Sequence, residues 1–132
     1  YFDADMAEGS HHENVGLLAF SPLAAGLLTG KYANGQIPPG SRGAIQPSLG
    51  GRNVPQAHQA VRNYTAVAEK HGMSLEQMSI AWCLTRPFMT SAIIGATSLS
   101  QLATNIDAAY IALSEELMAD IAEARRDQPM PI

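Results

Sequence analysis

Two short apolar runs stand out in a chain that is otherwise patterned for helices and loops. Residues 16–21 (GLLAFS) and residues 91–94 (SAII) are continuous, short and bounded by glycine or proline. Such runs are typical of strands that are covered on both faces in a parallel sheet. We expect them to be neighbouring parallel strands, because the helical segments between them supply the crossover that such strands need.

Helical periodicity accounts for most of the remaining chain. Residues 1–13 have a polar face, and residues 55–71 carry an apolar stripe that begins at a proline and ends before a glycine. Three further helices are predicted to begin after the N-cap residues Ser74, Ser98 and Ser114. The segment after Ser74 is apolar nearly all round, which predicts a central, buried helix. The helix after Ser98 is amphipathic, and four apolar side chains share one of its faces: Leu99, Leu102, Ile106 and Ala109.

Residues 33–53 show almost no periodicity and contain Pro38, Pro39 and five glycines. Two interpretations fit this segment: a functional loop or lid, and a disordered stretch. Arg42 and Arg52 are its only cations, so either could contact an anion.

The resulting order is helix, strand, long loop, two helices, strand and two helices. Buried strands that alternate with helices indicate a parallel α/β architecture. Two strands do not make a complete sheet, so we expect the chain to be part of a larger assembly of strands.

The turn after the second apolar run has the features of an anion site. Gly95 and Ala96 are small, Ser98 is a good N-cap, and Gln101 lies where a capping box requires it. A helix N-terminus presents free amide donors and positive dipole, so it can hold a phosphate. Turns of this kind are also ordinary α/β architecture, and spacing alone leaves both interpretations open.

Composition excludes several classes of function. The chain of 132 residues is 46% apolar and carries a net charge of −4, with no basic cluster that favours nucleic acid. No apolar run approaches the roughly 18 residues that cross a membrane. The adjacent His11 and His12 cannot share a metal ion on a helix, so no metal site is predicted. The single Cys83 is predicted to be a structural thiol, and these features together predict a cytoplasmic protein.

Three segments together resemble one family. Residues 20–32 (FSPLAAGLLTGKY) resemble the seventh-strand segment of aldo-keto reductases, and residues 93–105 (IIGATSLSQLATN) resemble their eighth-strand cofactor segment. Residues 71–84 (HGMSLEQMSIAWCL) are similar to the branch that contains potassium-channel β subunits and related bacterial reductases. The resemblance spans essentially the whole chain. It implies a single domain, residues 1–132, that forms the C-terminal part of a (β/α)8 TIM barrel, about the last two β/α units plus the C-terminal helix.

The resemblance also assigns residues to NADP(H). It implies that the ring of Phe20 stacks on the nicotinamide and that small or apolar residues line the pyrophosphate: Ser21, Pro22, Leu23, Ala24 and Gly26. It further implies that Lys31 and Arg42 approach the phosphates from a loop that covers the cofactor like a strap. The last implied set holds the adenosine and its 2′-phosphate: Gly95, Thr97, Gln101 and Asn105.

Two departures from the family pattern affect this expectation. Many members have Lys or Arg where this chain has Gly95, and Glu where it has Thr104, so the preference for NADP(H) over NAD(H) is expected to be modest. No segment matches the family's catalytic Asp, Tyr, Lys and His, which come from the first half of the barrel. No catalytic residue is therefore assigned to this chain.

The function expected from the resemblance is reduction of aldehydes or ketones with NADP(H). This chain would supply the cofactor-binding portion and be inactive alone, with the missing N-terminal half of the barrel and a small carbonyl substrate as its partners. One alternative is a non-catalytic nicotinamide-nucleotide-binding regulatory subunit. Another is a free-standing domain of 132 residues.

Overall fold

The computed structural model describes residues 2–131. A single π-helical turn, Phe2–Met6, leads into helix α1, Ala7–His12. Strand β1, Leu17–Phe20, follows and leads through short 3-10 segments, Ala24–Thr29 and Ala33–Gly35, to the single-turn helix α2, Arg42–Ile45. The second half consists of α3 (Pro55–Lys70), α4 (Leu75–Leu84), β2 (Met89–Ile93), α5 (Leu99–Asp107), the 3-10 turn Ala108–Tyr110 and α6 (Glu115–Asp127).

Strands β1 and β2 pair in parallel, which confirms the expected sheet. Leu17 lies opposite Met89, and after a one-residue irregularity Phe20 lies opposite Ile93. Successive side chains of a strand point to opposite faces. Leu17 and Ala19 are half-buried, whereas Leu18, Phe20 and Ile93 are each more than half exposed. The expectation that both faces are covered is therefore wrong for the described residues, because no described element packs over the second face.

The predicted helix starts are confirmed by their capping geometry. The hydroxyl oxygens of Ser74, Ser98 and Ser114 each accept a hydrogen bond from the amide three residues later. Each such cap stabilises its helix by about 1 kcal/mol relative to alanine. Helix α3 begins at Pro55, as expected from the preference of proline for the first helical turn.

The core lies between α3, α4 and α6. One buried cluster joins these three helices through Ala68, Leu75, Met78, Leu117 and Ile121. Burying a leucine, isoleucine or methionine side chain is worth about 1.5–3 kcal/mol, so this cluster fixes how the helices pack. Helix α4 also packs against β2, which confirms its central place.

Residues 33–53 form an ordered loop that packs against α3. Leu49 is buried with Leu27, Tyr32 and Ala57 in a second cluster. The hydroxyl oxygen of Ser41 caps α2 by accepting from the amide of Ala44. The interpretation of this segment as disordered is wrong, because the buried Leu49 side chain anchors the loop near its end.

Helix α5 turns its apolar stripe away from the described core. Leu99 is 86% exposed, and Leu102 and Ile106 are also exposed. The buried side of α5 instead carries Asn105, which is 5% exposed. Periodicity located the stripe but could not show what covers it. Within residues 2–131, none of the helices has the length and apolar character to cross a membrane.

Candidate functional site

The two glycine-containing turns begin at the same edge of the sheet. Phe20 ends β1 opposite Ile93, which ends β2, and the strands are parallel. The chain therefore leaves both strands in the same direction, into the turn at residues 21–30 and the turn at residues 94–98. Ligands of α/β proteins bind at this carboxyl edge. The ring of Phe20 stands at this edge and is 73% exposed.

The first turn is folded into left-handed backbone that few side chains adopt. The φ angles are 56° at Ser21, 48° at Ala24, 59° at Ala25 and 96° at Gly26. Each non-glycine residue in this region costs on the order of 1–3 kcal/mol, and such residues concentrate at functional sites. Buried Leu27 packs beneath the turn and helps to stabilise it.

Backbone hydrogen bonds close this first turn on itself. The amide of Ala24 donates to the carbonyl of Ser21 at 2.9 Å, and the amide of Gly26 donates to the carbonyl of Leu23 at 2.8 Å. Pro22 contributes its ring to an apolar cavity on the other side of the turn. The structure thus brings five of the predicted residues into one compact turn: Ser21, Pro22, Leu23, Ala24 and Gly26.

Tyr32 contacts the two segments that carry the predicted cations, Lys31 and Arg42. The Nζ atom of Lys31 lies 5.5 Å from the centre of the Tyr32 ring. The amide of Gly43 donates a hydrogen bond to the phenolic oxygen of Tyr32 at 2.9 Å, which fixes α2 and the exposed Arg42 that begins it. A Cβ atom at Gly43 would lie 2.8 Å from the Tyr32 ring, so this approach needs glycine. The sequence analysis gave Tyr32 no role in the site, although its position next to Lys31 was a signal for one.

The second turn is closed by Gln101. Its Oε1 atom accepts hydrogen bonds from the amide of Thr97 at 2.9 Å and from the Thr97 hydroxyl at 3.0 Å. The Gln101 amide donates to Oγ of Ser98 at 3.2 Å, as the predicted capping box requires. In a capping box the Gln101 side chain would accept a hydrogen bond from the amide of the N-cap residue, Ser98. Here it accepts from the amide of Thr97, one residue earlier. An anion at this helix N-terminus would compete with Gln101 for the Thr97 hydroxyl.

Asn105 and Gly95 are joined behind the second turn. The Nδ2 atom of the buried Asn105 donates to the carbonyl oxygen of Gly95 at 3.5 Å. The structure therefore gives Asn105 a role in holding the turn against α5. No atom of the described chain, apart from adjacent residues, lies within 4 Å of the point where a Cβ of Gly95 would stand, so the backbone there is open to close approach.

A small apolar cavity lies behind the first turn. It measures about 90 Å³ and lies between Pro22, Leu28 and the core helices, with the thiol of Cys83 in its wall. Burial raises the pKa of Cys83 above its ordinary value, so the thiolate is disfavoured. This agrees with the prediction of a structural thiol.

A network of charges and one aromatic ring holds α4 and α6 to the N-terminal segment. The guanidinium groups of Arg86 and Arg125 lie 5.1 Å and 4.8 Å from the Trp82 ring. Both guanidinium groups lie 3.5 Å from the Asp3 carboxylate. Cation–π and ionic contacts therefore act together at the Trp82 ring.

Comparison with known proteins identifies this arrangement. The model of the aldo/keto reductase family matches residues 3–126. The chain belongs to the aldo/keto reductase family. The resemblance stated from the three sequence segments is therefore confirmed.

Two relatives show where in the family this aldo/keto reductase chain lies. It is 40% identical over 120 residues to Protein tas of Escherichia coli (strain K12), which covers 91% of this chain and 35% of that protein. It is 42% identical over 97 residues to a probable voltage-gated potassium channel subunit beta of Oryza sativa subsp. japonica, covering 71% of this chain and 30% of that one. The chain thus spans about a third of the length of these curated relatives.

A solved structure shows the fold. The glycerol dehydrogenase AKR11B4 from Gluconobacter oxydans superposes with a TM-score of 0.72 at 24% sequence identity. The superposition covers 99% of this chain and 40% of that one. Essentially the whole aldo/keto reductase chain has the fold of part of that larger structure.

Proposed function

We propose that this chain is the nicotinamide-nucleotide-binding portion of an oxidoreductase that reduces aldehydes or ketones with NADP(H). One observation carries the proposal: two glycine-containing turns leave adjacent parallel strands at the same edge, one with an exposed aromatic ring and the other with a capped helix N-terminus. The exposed aromatic ring suits the nicotinamide, and the compact backbone turn suits the pyrophosphate. The helix N-terminus suits the phosphate of the adenosine. Family membership and the name of the glycerol dehydrogenase support an oxidoreductase.

The residues at this edge fit a dinucleotide. The left-handed turn at Gly26 and the open space at Gly95 allow the backbone to approach a phosphate closely. Lys31 and Arg42 supply positive charge to a dianionic group, and the loop that carries Arg42 is held in place by Tyr32. These features belong to described residues, and the assignment of Lys31 and Arg42 to the phosphates comes from the family resemblance.

Each part of the chain has a distinct task in this proposal. When bound, the cofactor supplies the hydride for the carbonyl carbon. Phe20 packs against the nicotinamide ring and shields it from water, and the turn that begins at Ser21 holds the pyrophosphate. The amides that open α5 receive the 2′-phosphate beside Thr97 and Gln101, while Asn105 maintains the shape of that turn.

The exposed strand face supports a larger barrel. Leu18, Phe20 and Ile93 leave one face of the two-stranded sheet open, and a two-stranded parallel sheet is not stable by itself. We propose that residues 1–132 form the last part of a (β/α)8 barrel and that an N-terminal half completes the sheet. That half would bring the proton-donating and substrate-binding side chains to the carboxyl edge, where such barrels hold their active sites.

The selectivity for NADP(H) is proposed to be modest. The helix N-terminus and Arg42 are each expected to contribute about 1 kcal/mol to the binding free energy of a 2′-phosphate. Gly95 offers only its backbone, with no side-chain charge. A preference of about tenfold to a hundredfold over NAD(H) follows from these contributions.

A second candidate is a nicotinamide-nucleotide-binding regulatory subunit without turnover. The relative named as a potassium channel subunit beta, at 42% identity, favours this candidate. Both candidates predict cofactor binding, but only the first predicts that a carbonyl compound is consumed.

The test is a paired measurement on the purified protein together with any sequence that precedes residue 1. NADPH affinity is measured by quenching of protein fluorescence, and turnover is measured as oxidation of NADPH with a panel of small aldehydes and ketones. Saturable binding with turnover supports the reductase, and binding without turnover supports the regulatory subunit. The absence of saturable NADPH binding would contradict both.

A further inference from the structure

A cluster of ionisable side chains joins the C-terminal end of α3 to α6, far along the chain from either turn of the candidate site. His71 caps the end of α3, and its amide donates to the carbonyls of Val67 and Ala68 at 3.2 Å. Its imidazole is only 14% exposed and places Nε2 at 2.5 Å from Oδ2 of Asp120. The ring is therefore fixed by its own helix and by the neighbouring one.

Three of these side chains have the composition of a transition-metal site. Glu116 and Asp120 lie one turn apart on α6, and one ligand atom from each comes within 4.8 Å of the others and of the His71 nitrogen. Metal–ligand bonds of about 2.0–2.2 Å place such atoms about 3.3 Å apart around a zinc ion. The exposed Glu116 side chain must rotate toward the other two ligands. Nε2 of His71 and Oδ2 of Asp120 lie 2.5 Å apart, so these two atoms must separate by about 0.8 Å and release the proton between them to hold a zinc ion.

The position between the two carboxylates already attracts a cation. The Nζ atom of Lys70 lies 2.7 Å from Oδ2 of Asp120 and 3.5 Å from Oε1 of Glu116. The Lys70 side chain is 55% exposed, so it can swing into solvent without disturbing the core. Because the Lys70 ammonium carries one charge on a flexible side chain, a divalent metal ion can replace it between the two carboxylates.

We propose that His71, Glu116 and Asp120 bind a divalent metal ion of the zinc class, with Lys70 as the internal cation that the metal displaces. One nitrogen and two carboxylate oxygens suit zinc, whereas magnesium prefers an all-oxygen environment. Three protein ligands leave a position for water. The ion bridges α3 and α6, so its role is to clamp the final helix to the core.

The experiment is isothermal titration calorimetry with Zn²⁺ on the purified, untagged protein after removal of metal with a chelator. Glu116→Gln is compared with Glu115→Gln, because both residues lie in the first turn of α6 and lose the same charge near the helix N-terminus. We expect Glu116→Gln to weaken zinc binding by about tenfold or more and Glu115→Gln to leave it within about twofold. We expect Lys70→Ala to strengthen zinc binding, since the competing ammonium is gone.

Two controls separate this site from adventitious binding. His12→Gln removes the exposed pair that His12 forms with Glu8 at 3.8 Å, and we expect it to leave the binding constant unchanged. Mg²⁺ is expected to give no saturable heat at the zinc concentration used. The proposal is overturned if zinc binding does not change with Glu116→Gln, if it is lost with His12→Gln, or if Mg²⁺ binds equally well. It is also overturned if neither the wild type nor Lys70→Ala binds zinc.

Discussion

The amide of Gly43 donates a hydrogen bond to the phenolic oxygen of Tyr32 at 2.9 Å, across eleven residues of loop. Tyr32 also packs with Leu27, beneath the turn that follows β1, so this contact holds the backbone next to Arg42 close to that turn. It fixes part of residues 33–53, a segment rich in glycine and proline, next to the proposed cofactor site.

Replacing Tyr32 by Phe removes this hydrogen bond and leaves the buried Gly43 amide without its partner. We expect a loss of unfolding free energy of about 1–3 kcal/mol, together with weaker NADPH binding because Arg42 is no longer held. Denaturant unfolding and a fluorescence titration measure the two effects. Tyr110→Phe is the matched control, since Tyr110 is exposed, and equal effects of both substitutions would contradict this role of Tyr32.

Replacing Arg42 by Ala is expected to weaken the binding of NADPH more than that of NADH. The guanidinium is proposed to meet the 2′-phosphate, and loss of about 1.4 kcal/mol corresponds to a tenfold weaker Kd. Arg52→Ala is the matched control, because Arg52 is the other cation of the loop and its Nη1 atom contacts the carbonyl of Leu49 at 3.5 Å. Equal losses for NADPH and NADH with Arg42→Ala would show that this side chain does not read the 2′-phosphate.

The interaction between Asp120 and Lys70 predicts a pH-dependent stability in the acidic range. Hydrogen bonds from Lys70 and from His71 lower the pKa of Asp120 from its ordinary value of 3.8. A lowered pKa means that the folded state binds the proton less tightly, so the stabilisation is present above pH 3.8 and is lost as the pH falls through the lower, folded-state value.

This dependence is measured as the difference in unfolding free energy between the wild type and Asp120→Asn from about pH 5 down to about pH 2, with a chelator present. The advantage of the wild type is expected to shrink as the pH falls. Glu115→Gln serves as the control outside the cluster. An advantage that stays constant or grows toward acid would show that the Asp120 carboxylate does not contribute through its ionised form.

The 132-residue chain by itself is expected to have no reductase activity. In the proposed function this chain supplies the cofactor-binding portion, and the proton donor is proposed to come from the N-terminal half. Carbonyl-dependent oxidation of NADPH by the isolated chain measures this directly. A rate above the enzyme-free rate would mean that a residue of this chain donates the proton.

Local features of the fold could be predicted from the sequence. The N-caps Ser74, Ser98 and Ser114 depend on hydrogen bonds within one turn of chain, and the two strands depend on short apolar runs. Both kinds of signal lie within a few residues, which is why the helix starts and the parallel pair were confirmed.

Contacts between distant residues could not be predicted in the same way. The approach of Gly43 to Tyr32 depends on how the loop packs, and the pair of His71 and Asp120 joins residues 49 positions apart. The exposed face of α5 shows another limit, since periodicity identifies an apolar stripe but not the partner that covers it. The role of Asn105 at the adenosine stays a prediction, and its contact with the carbonyl of Gly95, ten residues away, could not be predicted from the sequence.

The most direct test of the account is a crystal structure of the protein with bound NADP⁺. The account predicts the nicotinamide against the ring of Phe20, the pyrophosphate over the turn at residues 21–26, and the 2′-phosphate at the start of α5 beside Thr97. A cofactor bound away from the carboxyl edge of β1 and β2, or an adenosine phosphate that makes no contact with the start of α5, would contradict it.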